Sequence, residues 1–168
     1  VPRVALSLAT TAVWSAFCAL SFLAPWAASA RTRDALAIAG LAAAVLLIAA
    51  LLDGDTLRDY IGVAHSLGLS ALVEAHTAEE TEVAVKAGAR IIGVNNRDLR
   101  TFQVDTGNCL RLRPLVPRSV LFVAESGVRT AADIDRLRAG GVDAVLVGET
   151  LMRAPDRKAA LAALRGTP

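Results

Sequence analysis

Four apolar runs in this chain each end in side chains that could do chemistry. They are Glu74 and His76; Asn95, Asn96 and Arg97; Glu125 and Ser126; and Glu149 beside Gly148. The runs read Ala71-Leu-Val-Glu-Ala-His76, Ile91-Ile-Gly-Val-Asn-Asn-Arg97, Val120-Leu-Phe-Val-Ala-Glu-Ser-Gly127 and Ala144-Val-Leu-Val-Gly-Glu149. A buried parallel strand is apolar along its length because helices cover it. Only its C-terminal tip, where the chain turns toward the next helix, can present carboxylates and amides to a ligand. In a (β/α) barrel all such tips open on one face, and the chemistry sits there. The spacing therefore predicts half an active site.

The elements that must hold these tips follow a β-α rhythm from residue 43 onward. Apolar runs begin near Ala43, Ser70, Arg90, Ser119 and Val142. Amphipathic stretches at 55–66, 77–87, 105–115, 130–139 and 156–164 predict the helices between and after them. Thr77 with Glu80, and Thr130 with Asp133, fit capping boxes. Gly68, Gly88 and the pair Gly140-Gly141 follow three of these stretches, as expected where a helix ends and turns back to a strand. The expected fold class is α/β, about five parallel strands with helices.

Length limits that reading. The chain has 168 residues, whereas a complete (β/α)8 barrel usually takes ~250 and seldom fewer than ~200. Net charge is +2, with both signs dispersed, so no nucleic-acid surface is indicated. Sixteen of the 18 basic residues are arginine, and the lysines are Lys86 and Lys158. Cys18 and Cys109 have no paired spacing, and with only two histidines neither a disulfide framework, a metal site nor a cofactor is expected.

Each candidate has a plainer reading beside the chemical one. Glu74 could be a solvated carboxylate at a turn. Asn95 and Asn96 could be turn formers that tolerate left-handed geometry. Glu125-Ser126-Gly127 could be only a bend. His76 reads as structural, His65 as a surface or boundary residue, and Cys109 as a small, partly buried side chain without a redox role.

The first 42 residues look different. Apart from Cys18, residues 4–30 hold no ionisable side chain, and residues 35–52 are uncharged again. Arg3, an apolar stretch and Ala28-Ser29-Ala30 have the layout of a secretory signal, although the apolar part is long enough to compete as a membrane span. The same composition fits a shifted reading frame ahead of a barrel gene, or an unrelated appendage. The predicted division is a hydrophobic segment over 1–42 and a partial barrel domain over 43–168.

Leu72-Val-Glu-Ala-His76, Gly93-Val-Asn-Asn-Arg-Asp-Leu99, Ala124-Glu-Ser-Gly127 and Val147-Gly-Glu-Thr-Leu-Met152 resemble the fifth to eighth strand ends of indole-3-glycerol-phosphate synthase, a (β/α)8 barrel of tryptophan biosynthesis. Residues 44–52 are similar to its fourth strand. The resemblance implies a partial barrel and a decarboxylating carbon–carbon lyase. That family converts a carboxyphenylamino-deoxyribulose 5-phosphate into indole-3-glycerol phosphate, releasing carbon dioxide and water. It implies a catalytic set of Glu74, Asn95 and Glu125, with Glu74 in acid–base work during dehydration and Asn95 on the sugar-chain hydroxyls. It implies that Arg97 braces the site and that Ser126, Gly127, Gly148 and Glu149 surround the phosphate. Glu149 would contribute its backbone only, because its carboxylate would repel a phosphate. Glycines suit that place, since a backbone N–H approaches an anion most closely where there is no Cβ.

The family's lysine-bearing first and third strand motifs, and its second strand, have no counterpart here. Lys86 and Lys158 fall on predicted helices and do not replace those lysines. The chain alone is therefore expected to be weakly active or inactive. The expected partner is a small sugar phosphate, with a complementing N-terminal half-barrel or a second copy as further partners. The expected location is the cytoplasm, with membrane association if residues 4–30 span a bilayer. The competing expectation is a non-catalytic, phosphate-binding or membrane-attached module.

Overall fold

A computed structural model of the protein describes residues 44–98 and 101–166. The expectations for residues 1–42 lie outside these. Five strands alternate with helices: β1 (Ala44–Ile48), α1 (Gly54–Ser66), β2 (Ser70–Ala75), α2 (Ala78–Lys86), β3 (Ile91–Asn95), α3 (Asn108–Leu112), β4 (Leu121–Glu125), α4 (Ala131–Ala139), β5 (Ala144–Leu146), α5 (Glu149–Arg153) and α6 (Arg157–Leu164). The sheet is parallel throughout and its strands lie in chain order, β1-β2-β3-β4-β5. Strand order without reversal is the arrangement of a barrel wall, whereas a doubly wound sheet reverses at a switch point.

The two faces of the sheet are built differently. Val73, Ile92, Val94, Phe122 and Ala124 have no exposed surface and pack in one core with Leu57 and Ile61 of α1, Ala84 of α2, Cys109 of α3 and Leu137 of α4. Side chains alternate along a strand, so the residues between these face the other way. The register lines them up in rows across the sheet: Leu46 with Leu72, Leu72 with Ile91 and Ile91 with Leu121; then Ile48 with Glu74, Glu74 with Gly93, Gly93 with Val123 and Val123 with Ala144. A last row joins Asn95, Glu125 and Leu146. On this face Leu46, Leu72 and Ile91 are only half-buried and Leu121 is 55% exposed. Among the described residues nothing covers it as helices cover the first.

Local chemistry explains most boundaries. Asp53 starts α1 by accepting hydrogen bonds from the Asp55 and Thr56 N–H groups at 3.1 and 2.9 Å. Thr130 and Asp133 form the expected reciprocal capping box on α4. At α2 the box is incomplete. Thr77 accepts from Glu80 N–H at 3.2 Å, but the Glu80 carboxylate accepts from His76 N–H at 2.7 Å instead of from Thr77. Gly68, Gly88 and Gly141 take positive φ after their helices, while Gly140 stays right-handed.

Three elements differ from expectation. The apolar run from residue 44 is strand only to Ile48, and Ala49–Leu51 closes into a 3-10 turn. The helix expected over 105–115 is α3 followed by a 3-10 turn, Arg113–Leu115. Asp105 is held back from it: its N–H donates to the Asn96 carbonyl at 2.9 Å and its carboxylate accepts from Gly107 N–H at 2.8 Å. The short α5 was not anticipated, because five residues carry too little periodicity to separate them from the end of a strand. No helix among the described residues is long and apolar enough to cross a membrane.

Candidate active site

The C-terminal tips of β2, β3 and β4 bring Glu74, Asn95 and Glu125 together. Asn95 is buried, and each end of its amide makes one hydrogen bond. Its Nδ2 donates to Glu74 Oε1 at 3.0 Å, and its Oδ1 accepts from Arg97 N–H at 2.9 Å. Its carbonyl accepts from His76 Nδ1 at 2.7 Å, which fixes that ring as the Nδ1–H tautomer. Asn108 Nδ2 donates to the His76 carbonyl at 3.0 Å, tying the start of α3 to the same corner. His76 is thus structural, as expected.

Glu125 sits opposite Asn95 in the parallel register and is 5% exposed. Its Oε1 is buried and has no hydrogen-bond partner. Burial, followed by the Glu74 charge and a hydrogen bond with Glu74, pushes its pKa up to about 8. The room for it comes from Gly93 on the neighbouring strand, since a Cβ there would collide with Glu125 Oε1. Gly93 opens one of the strand-end motifs but carries no side chain to read, and only the cross-strand register exposes its role.

The loops beyond these tips carry Ser126, Gly127, Gly148 and Glu149, the residues expected around a phosphate. Ser126 and Gly127 both take left-handed conformations, at φ +64 and +80. A side chain at Gly127 would meet Val104 Cγ1 at 2.5 Å and Thr106 Cγ2 at 2.8 Å. Asn96, fully buried, fastens this bend. Its N–H donates to the Glu125 carbonyl at 2.9 Å, its Nδ2 donates to the Ser126 carbonyl at 3.2 Å, and its Oδ1 accepts from Cys109 N–H at 3.1 Å. The sequence left Asn96 open between a site residue and a turn former, and the structure makes it the clamp between two loops. Cys109 is buried and its thiol pKa is raised by that burial, in keeping with a side chain that only packs.

Gly148 lies just ahead of α5, and Glu149 and Thr150 join this segment to the other loops. Arg97 Nη2 meets Glu149 Oε2 at 2.6 Å, Arg153 Nε meets Glu149 Oε1 at 3.0 Å, and Thr150 Oγ1 donates to the Val128 carbonyl at 2.7 Å. The Glu149 carboxylate is therefore spent on two guanidinium groups. Lys86 and Lys158 are exposed on α2 and α6. No group of three or more histidine, cysteine or acidic side chains able to hold a metal occurs among the described residues. A cavity of about 470 Å³ opens at the other end of the strands, lined by His65, Ser70, Arg90, Ile91, Ser119 and Leu121. It shares no residue with the polar tips.

The model of indole-3-glycerol phosphate synthase matches residues 33–164. The chain belongs to the indole-3-glycerol phosphate synthase family. Relatives of that name are 61% identical over 123 residues in Ruminiclostridium cellulolyticum, 53% over 122 in Leuconostoc mesenteroides and 55% over 128 in Lactiplantibacillus plantarum. These matches take in 73, 73 and 76% of this chain but 47, 47 and 49% of the relatives. The chain thus spans about half the length of the curated relatives it matches. The backbone also superposes on a crystal structure of 3-hexulose-6-phosphate synthase, with a TM-score of 0.58, 19% identity and 78% of this chain against 64% of that one. A second likeness, to the native KDPGal structure, has a TM-score of 0.52, 21% identity and 72% against 56% coverage. At such identities these two likenesses speak for the fold alone. Together with the five parallel strands, they make this a partial TIM-barrel fold within the synthase family.

Proposed function

We propose that this chain carries the C-terminal half of an indole-3-glycerol-phosphate synthase site and binds the phosphate-bearing substrate of that reaction in the cytoplasm. The observation that carries this reading is the Asn95–Glu74 hydrogen bond with Glu125 beside it, on the same strand ends as the Ser126-Gly127 bend. Glu74 takes the acid–base role in dehydration, and Asn95 holds the sugar-chain hydroxyls. Backbone N–H groups near Ser126, Gly127, Gly148 and Glu149 take the phosphate, and Glu125 completes the catalytic set. Arg97 braces the rim through its pairing with Glu149.

No lysine approaches the tips among the described residues to act as general acid at the sugar carbonyl, and removing such an acid typically costs ~10² to 10⁴ in rate. Turnover by the chain alone is therefore expected to be close to background. The same absence favours a second reading, a phosphate-binding module without turnover. A homologous N-terminal half-barrel supplied in trans would complete the pocket under the first reading.

Calorimetric titration of the purified chain with 1-(2-carboxyphenylamino)-1-deoxyribulose 5-phosphate, paired with a fluorescence assay for indole-3-glycerol phosphate, tests the proposal. Saturable binding that the deoxyribulose 5-phosphate moiety alone does not match supports the synthase reading. Binding of any phosphate ester with equal affinity supports the module. Absence of binding overturns both. Turnover near that of the full-length relatives would overturn the expected weakness of the isolated chain.

A further inference from the structure

A buried carboxyl group next to a second carboxyl group must shed charge, find a cation or find a donor. Glu125 has neither cation nor donor on Oε1, although it is 5% exposed. Among the described residues, the ionisable groups at this end of the strands include Glu74 on β2, His76 after β2, Arg97 and Asp98 after β3, Arg129 after β4, and Glu149 and Arg153 in α5. Arg97 and Glu149 satisfy each other at 2.6 Å, and the His76 Nδ1–H is spent on the Asn95 carbonyl. None of these side chains hydrogen-bonds to the orphaned oxygen. Asn95 Nδ2 donates to Glu74 Oε1 at 3.0 Å, whereas no donor reaches Glu125 Oε1. Gly93 leaves the Glu125 carboxyl its place between the strands, with no side chain to pair with it.

We propose that Glu74 and Glu125 form one proton-sharing unit, in which Glu125 holds the proton and donates it to the Glu74 carboxylate. The shared proton stands on the geometry of this chain alone; its use in catalysis rests on the synthase reading. In dehydration the Glu74 carboxylate removes the proton from carbon while the neighbouring C–O bond breaks, its electron pair leaving on oxygen. Glu125 gives that oxygen its proton, and water departs. Glu74 is then protonated and Glu125 ionised. Return of the proton across their hydrogen bond restores the starting state with no outside acid. The raised pKa of Glu125, about 8, agrees with a carboxyl group that stays protonated at neutral pH.

The test is carboxyl-carbon NMR of the whole chain labelled in its glutamates, titrated from about pH 4 to about pH 10. One glutamate is expected to titrate near 8, to vanish in Glu125→Gln, and to move down in Glu74→Gln, where the neighbouring charge is gone. If every glutamate titrates in the ordinary carboxylate range, the shared proton is overturned. So is it if the high titration survives in Glu125→Gln. Should Glu125→Gln fail to fold, the Glu74→Gln spectrum still decides. Loss of substrate binding with the high titration intact counts against the proposed function only. An ordinary titration with binding intact counts against the shared proton only.

Discussion

The two faces of the sheet divide the labour of the molecule. The helix-covered face is made of Val73, Ile92, Val94, Phe122 and Ala124, all without exposed surface, and it holds the fold together. The opposite face carries the leucine and isoleucine row that ends at the 55% exposed Leu121, and above it the Glu74, Asn95 and Glu125 tips. In a closed barrel both faces are buried, one under helices and one by the barrel's own interior. Among the described residues the first is covered by helices, while the second is open along its Leu46, Leu72, Ile91 and Leu121 row. Stability and chemistry thus reside on opposite sides of the same five strands, one residue apart along each.

Breaking the covered face should cost most. Phe122→Ala removes a fully buried ring that also lies 5.2 Å from the buried Arg113 guanidinium, and a loss of about 3–5 kcal/mol is expected in urea denaturation. The matched change on the open face, Leu121→Ala, should stay within about 1 kcal/mol. Equal losses would mean that the open face is covered after all.

The next effect belongs to Glu125. Burial and the neighbouring Glu74 charge push its pKa up to about 8 in the folded protein, against an ordinary value of 4.5. Between those values the folded state binds more protons, so stability falls as pH rises and levels off above the upper one. The slope is at most about 1.4 kcal/mol per pH unit. Glu125→Gln should flatten it, as denaturation midpoints measured across pH would record. A wild-type slope of the opposite sign would contradict a neutral Glu125.

Smaller still is Gly127→Ala, which combines a positive φ of +80 with a clash against Val104 and Thr106. A loss of about 1–3 kcal/mol is expected from strain of this kind, together with weaker binding of phosphate esters. The smallest change concerns Arg97 and Glu149, whose side chains are 29 and 49% exposed. A double-mutant cycle should give less than about 1 kcal/mol of coupling, shrinking with added salt.

Much of this architecture was legible in the residues, because a strand tip announces itself where an apolar run meets a carboxylate or an amide. Five strands, the capping at Asp133 and the gathering of Glu74, Asn95 and Glu125 all follow from local pattern. What escaped depends on neighbours across the sheet. Gly93 matters because Glu125 fills the space beside it, and Asn96 matters because the next strand's loop lies within its reach. The split of the 105–115 helix escaped too, since it turns on the backbone bond from Asp105 to Asn96. The pairing of Glu149 with Arg97 links residues 52 apart in the chain, which no local spacing reports.

Amide chemical-shift mapping during titration with indole-3-glycerol phosphate tests most directly whether these tips make one site. Saturable shifts should gather at Glu74, Asn95, Arg97, Ser126, Gly127 and Gly148. Shifts confined to the far end of the strands, around Arg90 and Ser119, or no saturable shifts at all, would contradict the account.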